Sequence, residues 1–75
     1  MPEIMIIRSA QELSDVVRTR RRELGLTQEE LAGVIGVHRV FVSQFEGGKR
    51  SVRFDLALRL IQALGLDVDL RPREK

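Results

Sequence analysis

Apolar side chains return at Leu13, Val16, Val17 and Leu24, the spacing of one helical face. Just before them, Ser9-Ala10-Gln11-Glu12 fits a capping box, with the Ser9 side chain capping the helix start and Glu12 reaching back. Gly25 then supplies a left-handed stop. Arg20 projects within the same sector as Leu13, Val17 and Leu24 and so interrupts the stripe, with nothing in the pattern to place it. Thr27 and Glu30 form a second box ahead of Leu31, Ala32, Val34 and Ile35, and Gly36 ends that helix. A third helix runs from about Arg39 to Glu46 and stops at Gly47-Gly48. A fourth carries Phe54, Ala57, Leu58, Leu60, Ile61 and Leu64 on its inner side before Gly65 closes it. Leu66-Asp67-Val68-Asp69-Leu70-Arg71 then alternates apolar and charged, the period of a half-buried strand, and Pro72 ends it. The pattern predicts a mainly α domain of four to five short helices on tight glycine turns, with a short C-terminal β-strand.

The third helix has an unusual outer face. At about 100° per residue, Val42 and Phe45 lie roughly 60° apart and define an inward side. Val40, Ser43, Gln44 and Gly47 then point away from it, and Phe41 falls at the boundary. An aliphatic group set outward beside Ser and Gln is a poor choice for solubility and a good one for reading base edges. Gln pairs bidentately with adenine, Arg with guanine, and an aliphatic group packs on the thymine methyl.

Length and charge sharpen this picture. Seventy-five residues make one domain over 1–75, and a chain of this size buries only roughly 60% of its unfolded surface. There is no cysteine to form a disulfide or a thiolate metal site, which fits a reducing, cytoplasmic setting and leaves oligomerisation as the expected source of extra stability. Net charge is only +2, but the basic residues cluster: Arg18, Arg20, Arg21 and Arg22; then Arg39, Lys49, Arg50 and Arg53; then Arg71, Arg73 and Lys75. Such clusters suit a polyanion, although they also occur on solvated faces. The apolar run Ile4-Met5-Ile6-Ile7, in an extended segment over 1–8, is too short for a secretion signal and follows acidic Glu3; no stretch has the length of a membrane span.

Within this frame, TQEELAGVIGVHRVFVSQFEGGKR resembles the helix-turn-helix of the lambda-repressor/Cro (XRE) family, over residues 27–47 for the motif and about Leu13 to Leu66 for the wider fold. In that family the recognition helix enters the major groove and the preceding helix crosses the backbone. The resemblance implies base contacts from His38, Arg39, Val40, Ser43 and Gln44, and phosphate contacts from Gln28, Lys49 and Arg50. The arginine of that family that matches Arg21 pairs with the glutamate that falls at Glu46. RFDLALRLIQALGLDVDLRPR, with the apolar segment before SAQEL, is similar to the HipB-like antitoxin branch. That branch implies a homodimer paired through the C-terminal strand, here residues 66–71; antiparallel pairing about a two-fold axis then puts Leu66, Val68 and Leu70 in the interface, with Val68 near the axis. It also implies repression of the protein's own operon through a palindromic double-stranded operator, and a HipA-like serine/threonine kinase toxin as partner. With the sequence ending at Lys75, a long tail of the kind some relatives use on the toxin is not expected.

Other classes fit less well. With one histidine, no cysteine, no tyrosine or tryptophan and no glycine-rich phosphate loop, an enzyme, a metal site or a cofactor is not expected. Asp67 and Asp69 read as charged gatekeepers on a strand. The alternatives are a stand-alone XRE-type regulator, or an adaptor that uses the same fold to bind protein without DNA. An adaptor would call for larger apolar anchors on the third helix.

Overall fold

The computed structural model describes residues 4–74. The first three residues of the expected N-terminal extended segment, Glu3 among them, lie outside it, as does Lys75 of the last basic cluster. Four helices follow in order: α1 (Ala10–Glu23), α2 (Gln28–Ile35), α3 (Arg39–Glu46) and α4 (Phe54–Ala63).

Their ends are set by local chemistry. Thr27 and Glu30 exchange both bonds of a capping box, the Thr27 hydroxyl accepting from Glu30 N at 3.0 Å and Glu30 Oε1 accepting from Thr27 N at 2.8 Å. At the other end of α2, Gly36 takes φ 75°, which a side chain would resist, and Val37 N reaches back to Ala32 O at 3.0 Å. That reversal sends α3 off across α2. At α1 only half of the expected box forms. Ser9 Oγ accepts from Glu12 N at 3.1 Å, but Glu12 reaches one residue further, accepting from Arg8 N at 2.5 Å.

The core gathers Val17 of α1, Leu31, Ala32 and Ile35 of α2, Val42 and Phe45 of α3, and Ala57, Leu60, Ile61 and Leu64 from the α4 region. Each fully buried large side chain contributes roughly 1.5–3 kcal/mol relative to exposure. Ala32 is only 2% exposed, so a larger side chain there would have to displace its core neighbours. Phe41 is half-buried and tilts against Phe45, with ring centroids 6.2 Å apart.

Three apolar residues assigned to inner faces turn outward. Phe54 is 74% exposed. It is the first residue of α4, and helical side chains lean towards the N-terminus, so its ring projects past the end of the helix rather than into the core. Leu24 is exposed because α1 has already ended at Glu23 and the stripe loses its phase. Val34 lies about 60° beyond Leu31, on the opposite side from Ile35 and Ala32, and faces solvent. Arg20, unplaced by pattern, reaches across to α4, where its Nε donates to Leu64 O at 2.9 Å. Residues 66–71 form no strand: among the described residues all regular structure is helical. A strand needs a hydrogen-bonded neighbour, and the other described residues provide none. No helix among the described residues is long and apolar enough to cross a membrane.

Candidate nucleic-acid interface

The outer face of α3 is held in place by what lies behind it. Val42 and Phe45 are buried, and Glu46, one turn beyond Val42, falls in the same inward sector. Its carboxylate takes a two-pronged contact from Arg21 of α1, with Nε to Oε2 at 2.6 Å and Nη2 to Oε1 at 3.0 Å. The Arg21 Nη1 group donates to Leu26 O in the α1–α2 turn at 2.7 Å, and Gln28 Nε2 of α2 donates to Glu46 Oε1 at 3.1 Å. One carboxylate thus joins three helices, and its partner Arg21 ties in the turn. The side chains of Arg21 and Glu46 are only 9% and 3% exposed.

Burial pushes the Glu46 carboxyl up, but the hydrogen bonds from Arg21 and Gln28, together with the charges of Arg21 and Arg18, outweigh it and hold the group below the usual carboxylate range. The hydrogen bond to Glu46 likewise raises the Arg21 guanidinium. A buried charge pair carries a desolvation cost that good geometry and full hydrogen bonding must offset. Here both carboxylate oxygens are met.

Two further contacts in this frame were not foreseen. Ser14 is buried, with its hydroxyl 2.6 Å from Phe45 O and 2.9 Å from Ala10 O, so it ties α1 to the end of α3. Arg59 of α4 donates through Nη1 to Ile35 O at 2.9 Å, closing the last turn of α2. Ser14 falls in the same helical sector as Val17 and Arg21, which is the one sequence signal that marks it as inward.

Towards solvent, Arg39, Val40, Ser43 and Gln44 form an exposed face, with Val40 43% accessible. His38 caps α3: its Nδ1 accepts from Val40 N at 3.3 Å. Beyond the Gly47-Gly48 turn, Lys49 Nζ donates to Gln44 Oε1 at 3.2 Å. An ammonium only donates, so this contact fixes the Gln44 oxygen towards Lys49 and leaves its amide N–H groups free. Arg50 follows, exposed. Gln28 is half-buried rather than fully outward, because it lies in the same sector as Leu31, Ala32 and Ile35; one of its two amide N–H groups is spent on Glu46.

A two-helix unit with a glycine-turned crossing and an exposed polar second helix is the helix-turn-helix class. The family model described as "Helix-turn-helix domain" matches residues 12–73. An HTH-type transcriptional regulator of Sinorhizobium fredii is 37% identical over 70 residues, 92% of each chain. Among solved structures, a chain of the HipA-HipB-O2-O3 complex superposes with a TM-score of 0.86 at 27% identity, over 95% of this chain and all of that one. The restriction-modification controller protein C.AhdI of Aeromonas hydrophila gives 0.70 at 33% identity, over 77% of this chain and 88% of that one. The chain belongs to the helix-turn-helix family, of the lambda-repressor/Cro (XRE) type.

Proposed function

We propose that this protein is a sequence-specific DNA-binding repressor that acts as a homodimer on a palindromic operator. The observation that carries the reading is the exposed face of α3, which combines an aliphatic group, a guanidinium, a hydroxyl and an amide on a helix clamped from behind. In this reading α3 lies in the major groove. His38, Arg39, Val40, Ser43 and Gln44 meet base edges, while Gln28, Lys49 and Arg50 meet phosphates on either side. The second amide N–H of Gln28 and the exposed charges of Lys49 and Arg50, just beyond α3, support this reading. We further propose an antitoxin role in which the protein represses its own operon and binds a HipA-like serine/threonine kinase. The likeness to a chain of a complex that contains HipA supports it.

Two sets of substitutions separate readout from charge neutralisation. Arg39→Ala and Gln44→Ala should each cost roughly 1–3 kcal/mol on the best site and relax preference at one operator position, with little change on random duplex. Selection from a random DNA pool, followed by competition titrations, measures both; equal losses on specific and random sequences would reduce these residues to phosphate contacts. Lys49→Ala should weaken every duplex by a similar factor and lower the slope of log K against log salt by about one. A wild-type protein with no salt-dependent affinity for duplex DNA would instead fit a protein-binding adaptor.

A further inference from the structure

Residues 66–73 run along an open groove of about 1240 Å³ that is also lined by residues 4–8 and by Val16, Leu58 and Ile61. Exposure of the apolar positions rises outward, from half-buried Leu66 through Val68 at 52% to Leu70 at 88%. The charges on the intervening positions are ordered. Asp67 and Asp69 precede Leu70, and Arg71 and Arg73 follow it. Arg71 already lies on the same side as Asp69, with Nη2 2.8 Å and Nε 3.0 Å from Asp69 Oδ2.

This order complements itself. In an antiparallel pair, residues directly opposite share a face, and opposite charges there stabilise while like charges destabilise. A two-fold axis at Leu70 sets Asp69 opposite the partner's Arg71 and Asp67 opposite the partner's Arg73, so every charged position meets its complement. An axis at Val68 would oppose Asp67 to the partner's Asp69, and an axis at Asp69 would oppose that residue to its own copy. Pro72 adds an independent constraint. In the Leu70 register Pro72 lies opposite the partner's Val68, and if the Leu70 pair is non-hydrogen-bonded the alternation makes the Pro72 pair non-hydrogen-bonded too. The missing N–H is then not needed.

Within the strand-paired homodimer that the HipB-like resemblance implies, we propose that residues 66–73 meet the same residues of the second copy with Leu70, not Val68, on the two-fold axis. The proposal rests on the dimer reading above and fixes its register. Leu66, Val68, Leu70 and Pro72 of both copies cover the groove, and the two Asp69–Arg71 pairs merge into one four-charge cluster on the solvent side.

The chain has no cysteine, so single cysteines report the register in the full-length protein. Two copies of Leu70→Cys would have Cα atoms about 4.5 Å apart, within the roughly 4.4–6.8 Å that a disulfide spans. Two copies of Val68→Cys would lie four residues apart along the ribbon, on the order of 13 Å, out of reach. Under mild oxidation Leu70→Cys should cross-link to a covalent dimer, and Val68→Cys should do so at least about tenfold more slowly, given that separation. The reverse pattern overturns the register. Absence of cross-linking in both, with light scattering still reporting a dimer, overturns the strand pairing and leaves the dimer reading standing; a monomeric wild type overturns both. As a second test, Asp69→Arg should raise the dimer dissociation constant on the order of tenfold. Adding Arg71→Asp to the same chain should restore it, because opposite pairs become complementary again only if position 69 faces position 71. Failure to restore overturns the proposal.

Discussion

Removing either partner of the Arg21–Glu46 pair is expected to cost about 3–5 kcal/mol of folding stability, because the other is left charged, buried and unmatched. The magnitude follows from burial: with side chains 9% and 3% exposed, the pair is far from the surface regime in which such contacts count for less than about 1 kcal/mol. A domain of this length has roughly 4–11 kcal/mol in total, so either Arg21→Met or Glu46→Gln should bring it close to unfolding at moderate temperature. Denaturant titrations of both single variants and the double variant form a cycle. The double variant should recover a large part of the summed loss, and an interaction energy of zero would remove the pair from the account. The pH dependence has a definite sign. Glu46 has a folded-state pKa below its unfolded value, so its contribution is present above the ordinary carboxylate pKa of about 4.3 and is lost as pH falls through the lower folded value. Acid unfolding of the wild type should therefore be steeper below about pH 4.3 than that of Glu46→Gln. Arg21 stays protonated throughout this window and adds no slope there.

What was legible in the sequence is local chemistry. The Thr27–Glu30 box, the Gly36 turn and the Val42–Phe45 face are written in spacing, and each depends on residues within a turn or two of one another. What was not legible depends on which helix end lies beside which side chain. Arg20 on Leu64 O, Arg59 on Ile35 O and Ser14 on Phe45 O all join residues at least 24 positions apart through a backbone carbonyl, and a carbonyl leaves no mark in the sequence. Gln28 is intermediate. Its match to the family pointed to phosphate, the structure puts one amide N–H on Glu46, and a second N–H is left for phosphate. Phe54 misled because periodicity assumes a helix already under way, whereas the first residue of α4 projects beyond its end. The alternating segment 66–71 has a strand's pattern without a strand's partner, so a single chain leaves it without a ladder.

Truncation after Leu66 is expected to give a folded monomer that has lost at least on the order of a hundredfold in operator affinity. Leu66 is retained because it packs against the core and its N–H bonds to Ile61 O at 3.2 Å, so cutting there spares the helical domain and removes only the outer segment. One α3 is eight residues long and offers few side chains to base edges, too small a contact for tight specific binding. Two copies about 34 Å apart would read successive major grooves on one side of the duplex, and something must hold that distance. Val68 and Leu70 are the candidates, exposed in the single chain along the groove between residues 4–8 and 66–73. Val68→Asp, which introduces a charge between the two copies, should act in the same direction as the truncation. Circular dichroism should report nearly unchanged helix content in the truncated chain, while light scattering reports half the mass of the wild type. A wild-type chain that runs as a monomer at tens of micromolar and still binds its operator tightly would mean that the spacing between recognition helices is set by the DNA, not by the protein.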